Sequence, residues 1–157
     1  MMDVAKPALA ALMIAAVTTA MAAPQDQLLP LSPTDIPQGC GCNFVRYKSK
    51  GEGPILHWAT EGKKQAVVRT DKLHVLELRQ EKYIRQHPDH PQPDDRMVLF
   101  VANGDWQIQV LGMQQPSTCG GKRQCNETDY RGRLLVQQEG GARTEIPVDG
   151  ACGCPKP

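Results

Sequence analysis

Six cysteines carry most of the chemical potential of this 157-residue chain: Cys40, Cys42, Cys119, Cys125, Cys152 and Cys154. Thiols at such positions form structural disulfides, bind a soft metal as thiolates, or exchange with other thiols. Their placement separates these uses. One Cys-Gly-Cys opens the cysteine-bounded region and another closes it, while Cys119 and Cys125 bracket a short polar loop, Gly-Gly-Lys-Arg-Gln. Six cysteines allow 15 pairings, and a local Cys119–Cys125 bridge reduces the rest to three. Residues two apart on a strand point to the same face. Antiparallel Cys-Gly-Cys strands would therefore oppose Cys40 to Cys154 and Cys42 to Cys152. Parallel neighbours would pair Cys40 with Cys152 and Cys42 with Cys154. A bridge within one Cys-Gly-Cys needs a tight turn, because extended Cα atoms two apart sit near the upper limit for a disulfide. An even count in an exported chain reads as a disulfide framework. Metal binding and thiol exchange are the competing uses, and no βαβ pattern flanks either pair to suggest a thioredoxin-like scaffold.

The other candidate residues form no catalytic constellation. Gly-x-Ser-x-Gly, His-Glu-x-x-His and the phosphate-cradling glycine loop are all missing, so no enzymatic activity and no cofactor are expected. His57 and His74 sit inside apolar runs and read as ordinary strand residues. His87 and His90 lie with Asp89, Asp94 and Asp95 in a polar connection from about 81 to 95. Two imidazoles three apart beside carboxylates can hold a divalent ion. Pro88, Pro91 and Pro93 favour an extended, solvated path instead, and no third ligand is fixed, so no metal is assigned to His87 and His90. Trp58 and Trp106 both fall near predicted hairpin turns. If those turns open at one end, the two indoles with Tyr47 or Tyr130 make a recognition patch, since tryptophan is favoured at binding hot spots; the competing role is core packing. Lys122 and Arg123, on the loop between Cys119 and Cys125, are a basic knuckle suited to an acidic partner.

These residues must be positioned by β structure. Apolar runs alternate with turn signals: 43–47, 55–60, 65–70, 96–102, 106–113, 131–138 and 142–148 read as strands. Glu61-Gly62, Asp71-Lys72, Asn103-Gly104-Asp105 and Glu139-Gly140-Gly141 read as turns. Asn-Gly is the strongest of these signals, because both residues tolerate positive φ. Tyr130, Gly132, Leu134 and Val136 alternate with Arg131, Arg133, Leu135 and Gln137, mostly a one-face-in pattern. Residues 72–86 are ambiguous. Leu73, Leu76, Tyr83 and Ile84 fit a helical stripe, but the segment follows a turn and a Val-Val strand, so a strand is expected over 73–79. The expected fold is all-β: a disulfide-stapled antiparallel sandwich or barrel of about seven or eight strands.

Composition narrows the setting. The net charge is +1, with 18 basic and 17 acidic residues and no single-sign run. That excludes the electrostatic footprint of nucleic-acid binding and a polybasic lipid anchor. Aromatic residues are only 4%, so the core must rest on Val, Leu and Ile. Residues 1–22 carry one early cation, an apolar run and Ala20-Met21-Ala22, the pattern of a secretory signal peptide. The run is shorter than the roughly 20 residues that span a bilayer, so no membrane anchor is expected after cleavage. Residues 23–38 read as an extended Pro-rich arm and 39–157 as one stapled β domain.

The frame Gly39-Cys40-Gly41-Cys42, Cys119 to Cys125-Asn126-Glu127, Tyr130-x-Gly132-x-Leu134-x-Val136 and Gly150-Ala151-Cys152-Gly153-Cys154 resembles a loose group of small exported bacterial proteins with Gly-Cys-Gly-Cys-like ends. The resemblance spans roughly 39–154 and implies export, disulfides and β structure, but no activity. The expected role is a non-catalytic binding or interaction module, periplasmic or secreted, whose partner is a protein or other envelope component. The alternative is a thiol-redox or metal-handling protein using the Cys-Gly-Cys pairs or the His87/His90 loop. Protein isolated from its native host should begin near Ala23; N-terminal sequencing that finds Met1 would overturn the signal-peptide assignment.

Overall fold

The structure, a computed structural model, describes residues 28–49, 51–87, 92–116 and 127–154. Eight antiparallel strands follow one another around a closed barrel: β1 (Gly41–Arg46), β2 (Leu56–Ala59), β3 (Gln65–Arg69), β4 (Leu73–Ile84), β5 (Arg96–Ala102), β6 (Trp106–Gln114), β7 (Thr128–Gln138) and β8 (Thr144–Gly153). Every neighbour in the sheet is a neighbour in sequence except β8 and β1, whose pairing closes the ring. The barrel is the closed form of the all-β alternatives.

Period-2 alternation decides what lies inside. Cys42 and Phe44 on β1, Leu56 and Trp58 on β2, Leu99 and Val101 on β5, Ile108 and Val110 on β6, Leu134 and Val136 on β7, and Ile146 and Val148 on β8 all join one buried cluster. Eight strands enclose a space that side chains just fill. Glycines adjust the fit where chains approach closely. The Phe44 ring lies over Gly150, and a Cβ on Gly132 would collide with the Leu111 carbonyl of β6.

The ambiguous segment is a strand, and it runs five residues past its expected end, to Ile84. Burial explains the helical look. In the register with β5, Leu78 pairs with Val101 and Gln80 with Phe100, so a bulge at Arg79 breaks the alternation. Beyond it, Tyr83 stands opposite Met97 and Ile84 opposite Arg96. The polar connection is correspondingly shorter than 81–95. The Asn103-Gly104-Asp105 turn forms, but not through positive φ at Gly104. The Asn103 carboxamide oxygen accepts hydrogen bonds from the amides of Asp105 (2.9 Å) and Trp106 (2.8 Å), an Asx-type closure.

The arm, expected to be merely extended, is built into the barrel. Leu28 and Leu31 are buried. The Leu29 amide donates to the Arg69 carbonyl (2.7 Å) and the Leu31 amide to the Pro54 carbonyl (2.7 Å). A short 3-10 turn at Pro33–Asp35 follows, and Asp35 forms a two-point ion pair with Arg69 on the outside of β3, with Nε to Oδ2 at 2.9 Å. The arm thus crosses the outer face of β2 and β3. That explains why Ile55 and His57, which point outward, are as buried as Leu56 and Trp58, which point inward. Replacing Gly132 by Ala should cost about 3 kcal/mol, the upper end of overpacking, because a backbone carbonyl must move; urea unfolding of the oxidised protein measures it.

Candidate functional site

A cleft of about 680 Å³ opens where the arm meets the outer face of β1, β2 and β8. Ile36 and Pro37 of the arm wall one side and Ala151 and Gly153 of β8 line the other, with Asn43 and His57 between. Register builds this concavity. Gly41 faces Gly153 and Asn43 faces Ala151 across the β1–β8 pair, while Asn43 also faces His57 across β1–β2. Two glycines and an alanine leave the outer surface low, and the arm raises a rim beside it.

His57 is the chemically oriented group in this cleft. Its Nδ1 lies 2.9 Å from the Asn43 carboxamide oxygen. That oxygen only accepts, so Nδ1 carries the proton and Nε2 keeps its lone pair. The ring's Cε1–Nε2 edge lies over Gly41; a Cβ there would sit 2.5 Å from Cε1 and 2.9 Å from Nε2. Burial pushes the His57 pKa below 6.5, because desolvation disfavours the imidazolium. The group is a neutral imidazole at neutral pH, fixed in tautomer and tilt, with a hydrogen-bond acceptor at Nε2.

The cysteines pair in the antiparallel manner. Cys40 joins Cys154 and Cys42 joins Cys152, with Cα atoms 4.0 and 3.9 Å apart. The Glu61 carboxylate lies within 4.8 Å of the Cys40 and Cys154 sulfurs, the one cluster of metal-ligand types found among the described residues. Both sulfurs are bonded to each other, so the oxidised cluster offers a carboxylate alone. A nearby negative charge also disfavours any thiolate formed there. Two disulfides point to an oxidising compartment outside the cytoplasm. No helix among the described residues is long and apolar enough to cross a membrane.

The other sequence candidates are dispersed. Trp58 and Trp106 are 0% and 3% exposed, so neither is a surface contact in this fold. Their side chains point inward and sit at opposite barrel ends, Trp58 beside the β2–β3 turn and Trp106 after the β5–β6 turn. The recognition patch is thereby corrected to two core anchors. Trp106 packs against His74 with ring centroids 5.6 Å apart, and His74 Nε2 meets Thr70 Oγ1 at 2.8 Å. Trp58 Nε1 is a buried donor without a hydrogen-bond partner among the described residues. His87 is exposed. Asp95 is buried, and its carboxylate accepts from the amides of Gln86 (2.9 Å) and Gln92 (3.0 Å). These bonds hold its pKa below the usual carboxylate range. Asp95 therefore clips the two ends of the β4–β5 connection together rather than waiting for an ion. His90, Lys122, Arg123, Cys119 and Cys125 lie outside the described residues.

Sequence reasoning missed the Asn43–His57 pair, because 14 residues and a loop separate its members and only strand register joins them. The available signal was Ile55 and His57 sharing one face of a short strand whose other face was already apolar. Comparison of the chain with protein-family models, curated proteins and solved structures finds no match.

The pH dependence of stability checks the His57 assignment. Its folded pKa lies below 6.5, so the unfolded chain binds the proton more readily. His57's contribution is complete above pH 6.5 and declines as pH falls toward the folded pKa. Urea midpoints of the wild type should drop between pH 7.5 and 5.5, and His57→Gln should flatten that slope. An unchanged slope in the variant refutes the buried neutral imidazole.

Proposed function

We propose that the chain is an exported, non-catalytic binding module, acting in the periplasm or outside the cell, whose ligand group seats in the cleft beside the arm. The observation that carries this reading is the contrast between the two surfaces of the barrel. Its interior is occupied by its own side chains, which leaves the outside to do the recognising. There, a cleft walled mainly by Ile36, Pro37, Ala151 and Gly153, with Gln38 and Glu127 also in its lining, contains one oriented, neutral acceptor, His57 Nε2. Apolar walls with a few placed polar groups are the usual make-up of a ligand site. The complementary group is a small moiety without negative charge, with an apolar body and one O–H or N–H donor. It belongs to a protein or other component of the cell envelope. Residues 40–42 and 152–154 act as the frame of this site, their disulfides holding the β1–β8 register from beneath its floor. A thiol-exchange role is the rival reading, and the Glu61 carboxylate near the outer disulfide counts against it.

Envelope extract passed over the immobilised, oxidised protein tests both readings. Ala151 is exposed at the cleft, so Ala151→Trp fills it without entering the core. A component retained by the wild type should be lost from Ala151→Trp by at least tenfold and should elute without reductant. Equal retention by the two proteins, or no retention by either, defeats the cleft. Release by reductant alone transfers the protein to the thiol-exchange class.

A further inference from the structure

A second depression, of about 280 Å³, lies on the outer surface of β4–β7 and has a different chemistry. Its floor is Phe100 and Leu135, and its rim is four carboxamides, Gln80, Gln107, Gln109 and Gln137, with Arg143 at one side. Strand register sets it out in two rows. Gln80 faces Phe100, Phe100 faces Gln109 and Gln109 faces Leu135, while Gln107 faces Gln137 in the adjacent row.

Two features mark it as built rather than incidental. First, the bulge at Arg79 changes the parity of β4. Without it, Gln80 would share the inward face of Leu78; with it, Gln80 turns outward to complete the rim. Bulges commonly re-aim a side chain in this way. Second, Arg143 Nη2 donates to the Gln109 carboxamide oxygen at 2.9 Å. This fixes the amide so that its NH₂ is left to donate, and it holds Arg143 at one side of the rim. The neighbouring charges, Arg133 and Glu145, are paired with each other at 3.2 Å.

We propose that this depression is a subsite for one neutral sugar residue. Carboxamides present both donors and acceptors, which suits hydroxyl groups that donate and accept at once. The electron-rich face of an aromatic ring attracts the polarised C–H face of a pyranose. The four carboxamides outnumber the one cation, Arg143, which lends a donor to Gln109, so neutral hydroxyls rather than a carboxylate fit most of the rim. An extended peptide would pair with an exposed sheet edge. β4 beyond Glu77 is such an edge, pairing with β5 alone, but the Phe100–Leu135 floor lies on β5–β7, paired on both sides, so the depression itself offers a peptide no free backbone. The site is independent of the His57 cleft, which is formed by the arm, β1, β2 and β8.

The test uses the oxidised full chain labelled with ¹⁵N, observed through its glutamine side-chain amides. Maltotriose, cellotriose and N-acetylchitotriose serve as neutral probes, digalacturonate as an acidic probe and a Gly-Ser tetrapeptide as an amide control, each taken to tens of millimolar. At least one neutral trisaccharide should shift the amides of Gln80, Gln107, Gln109 and Gln137 saturably, with a Kd in the millimolar range. Phe100→Leu and Gln109→Leu should each weaken binding about tenfold, the loss of roughly one good contact, with the remaining spectrum intact. Ala151→Trp should leave the affinity unchanged. If Phe100→Leu does not fold, the surface variant Gln109→Leu decides alone. No saturable shift with any neutral sugar, an equal response to digalacturonate or the peptide, or unweakened binding in folded variants would each overturn the assignment.

Discussion

Pairing between β1 and β8 is the contact that makes the sheet a barrel, and it is where the chain is cross-linked. β1 has six residues and its other neighbour, β2, has four, so the ladder on that side is short. The two disulfides span 114 and 110 residues. In the chain-entropy picture, closing a loop of that size destabilises the unfolded state by about 4.7 kcal/mol. The second bridge adds much less entropy, since the loop is already closed. Its contribution is to the register: with Cys40 opposite Cys154 and Cys42 opposite Cys152, a slip of even two residues is excluded. That register places Gly41 against Gly153 and Asn43 against Ala151, and so shapes the cleft.

The arm solves a problem that the short strand creates. Ile55, just before β2, and His57 on it are both buried on the outward side, so the strand has cover on both faces. Leu28 and Leu31 are buried beside β2 and β3, and the Asp35–Arg69 ion pair, where Arg69 holds the Asp35 carboxyl far below its usual range, secures the middle of the arm. Support from Asp35 is complete above the ordinary carboxylate range and fades only in strong acid as the folded pKa is approached. One segment thereby covers a short strand, buries an imidazole and walls a cleft.

What the sequence made legible was local. Tyr130, Gly132, Leu134 and Val136 show their shared face by simple alternation, and the two Cys-Gly-Cys segments name their antiparallel partners once that orientation is chosen. What escaped depended on geometry between distant segments. The Asn43–His57 contact needs the β1–β2 register. The burial of Trp58 and Trp106 needs barrel closure, since in an open hairpin either indole would be free. The extent of β4 was obscured by a bulge that leaves Leu78 and Gln80 on opposite faces, a break in period that imitates a helix. Leu28 and Leu31, in a proline-rich stretch, carry no periodic signal at all.

Because the strands run in simple succession and the last is covalently tied to the first, the polypeptide from Cys40 to Cys154 is a ring rather than a line. A protease cutting the exposed β2–β3 turn at Glu61-Gly62 would separate Cys40 and Cys42 from Cys152 and Cys154 in sequence, yet both halves would stay joined by two sulfur–sulfur bonds. The same holds for a single cut at the exposed β7–β8 turn, Glu139-Gly140. Backbone scission at a hairpin changes where the chain begins without changing what is connected, the operation that circular permutation performs on a gene. Such a molecule can lose one peptide bond among proteases and keep its shape.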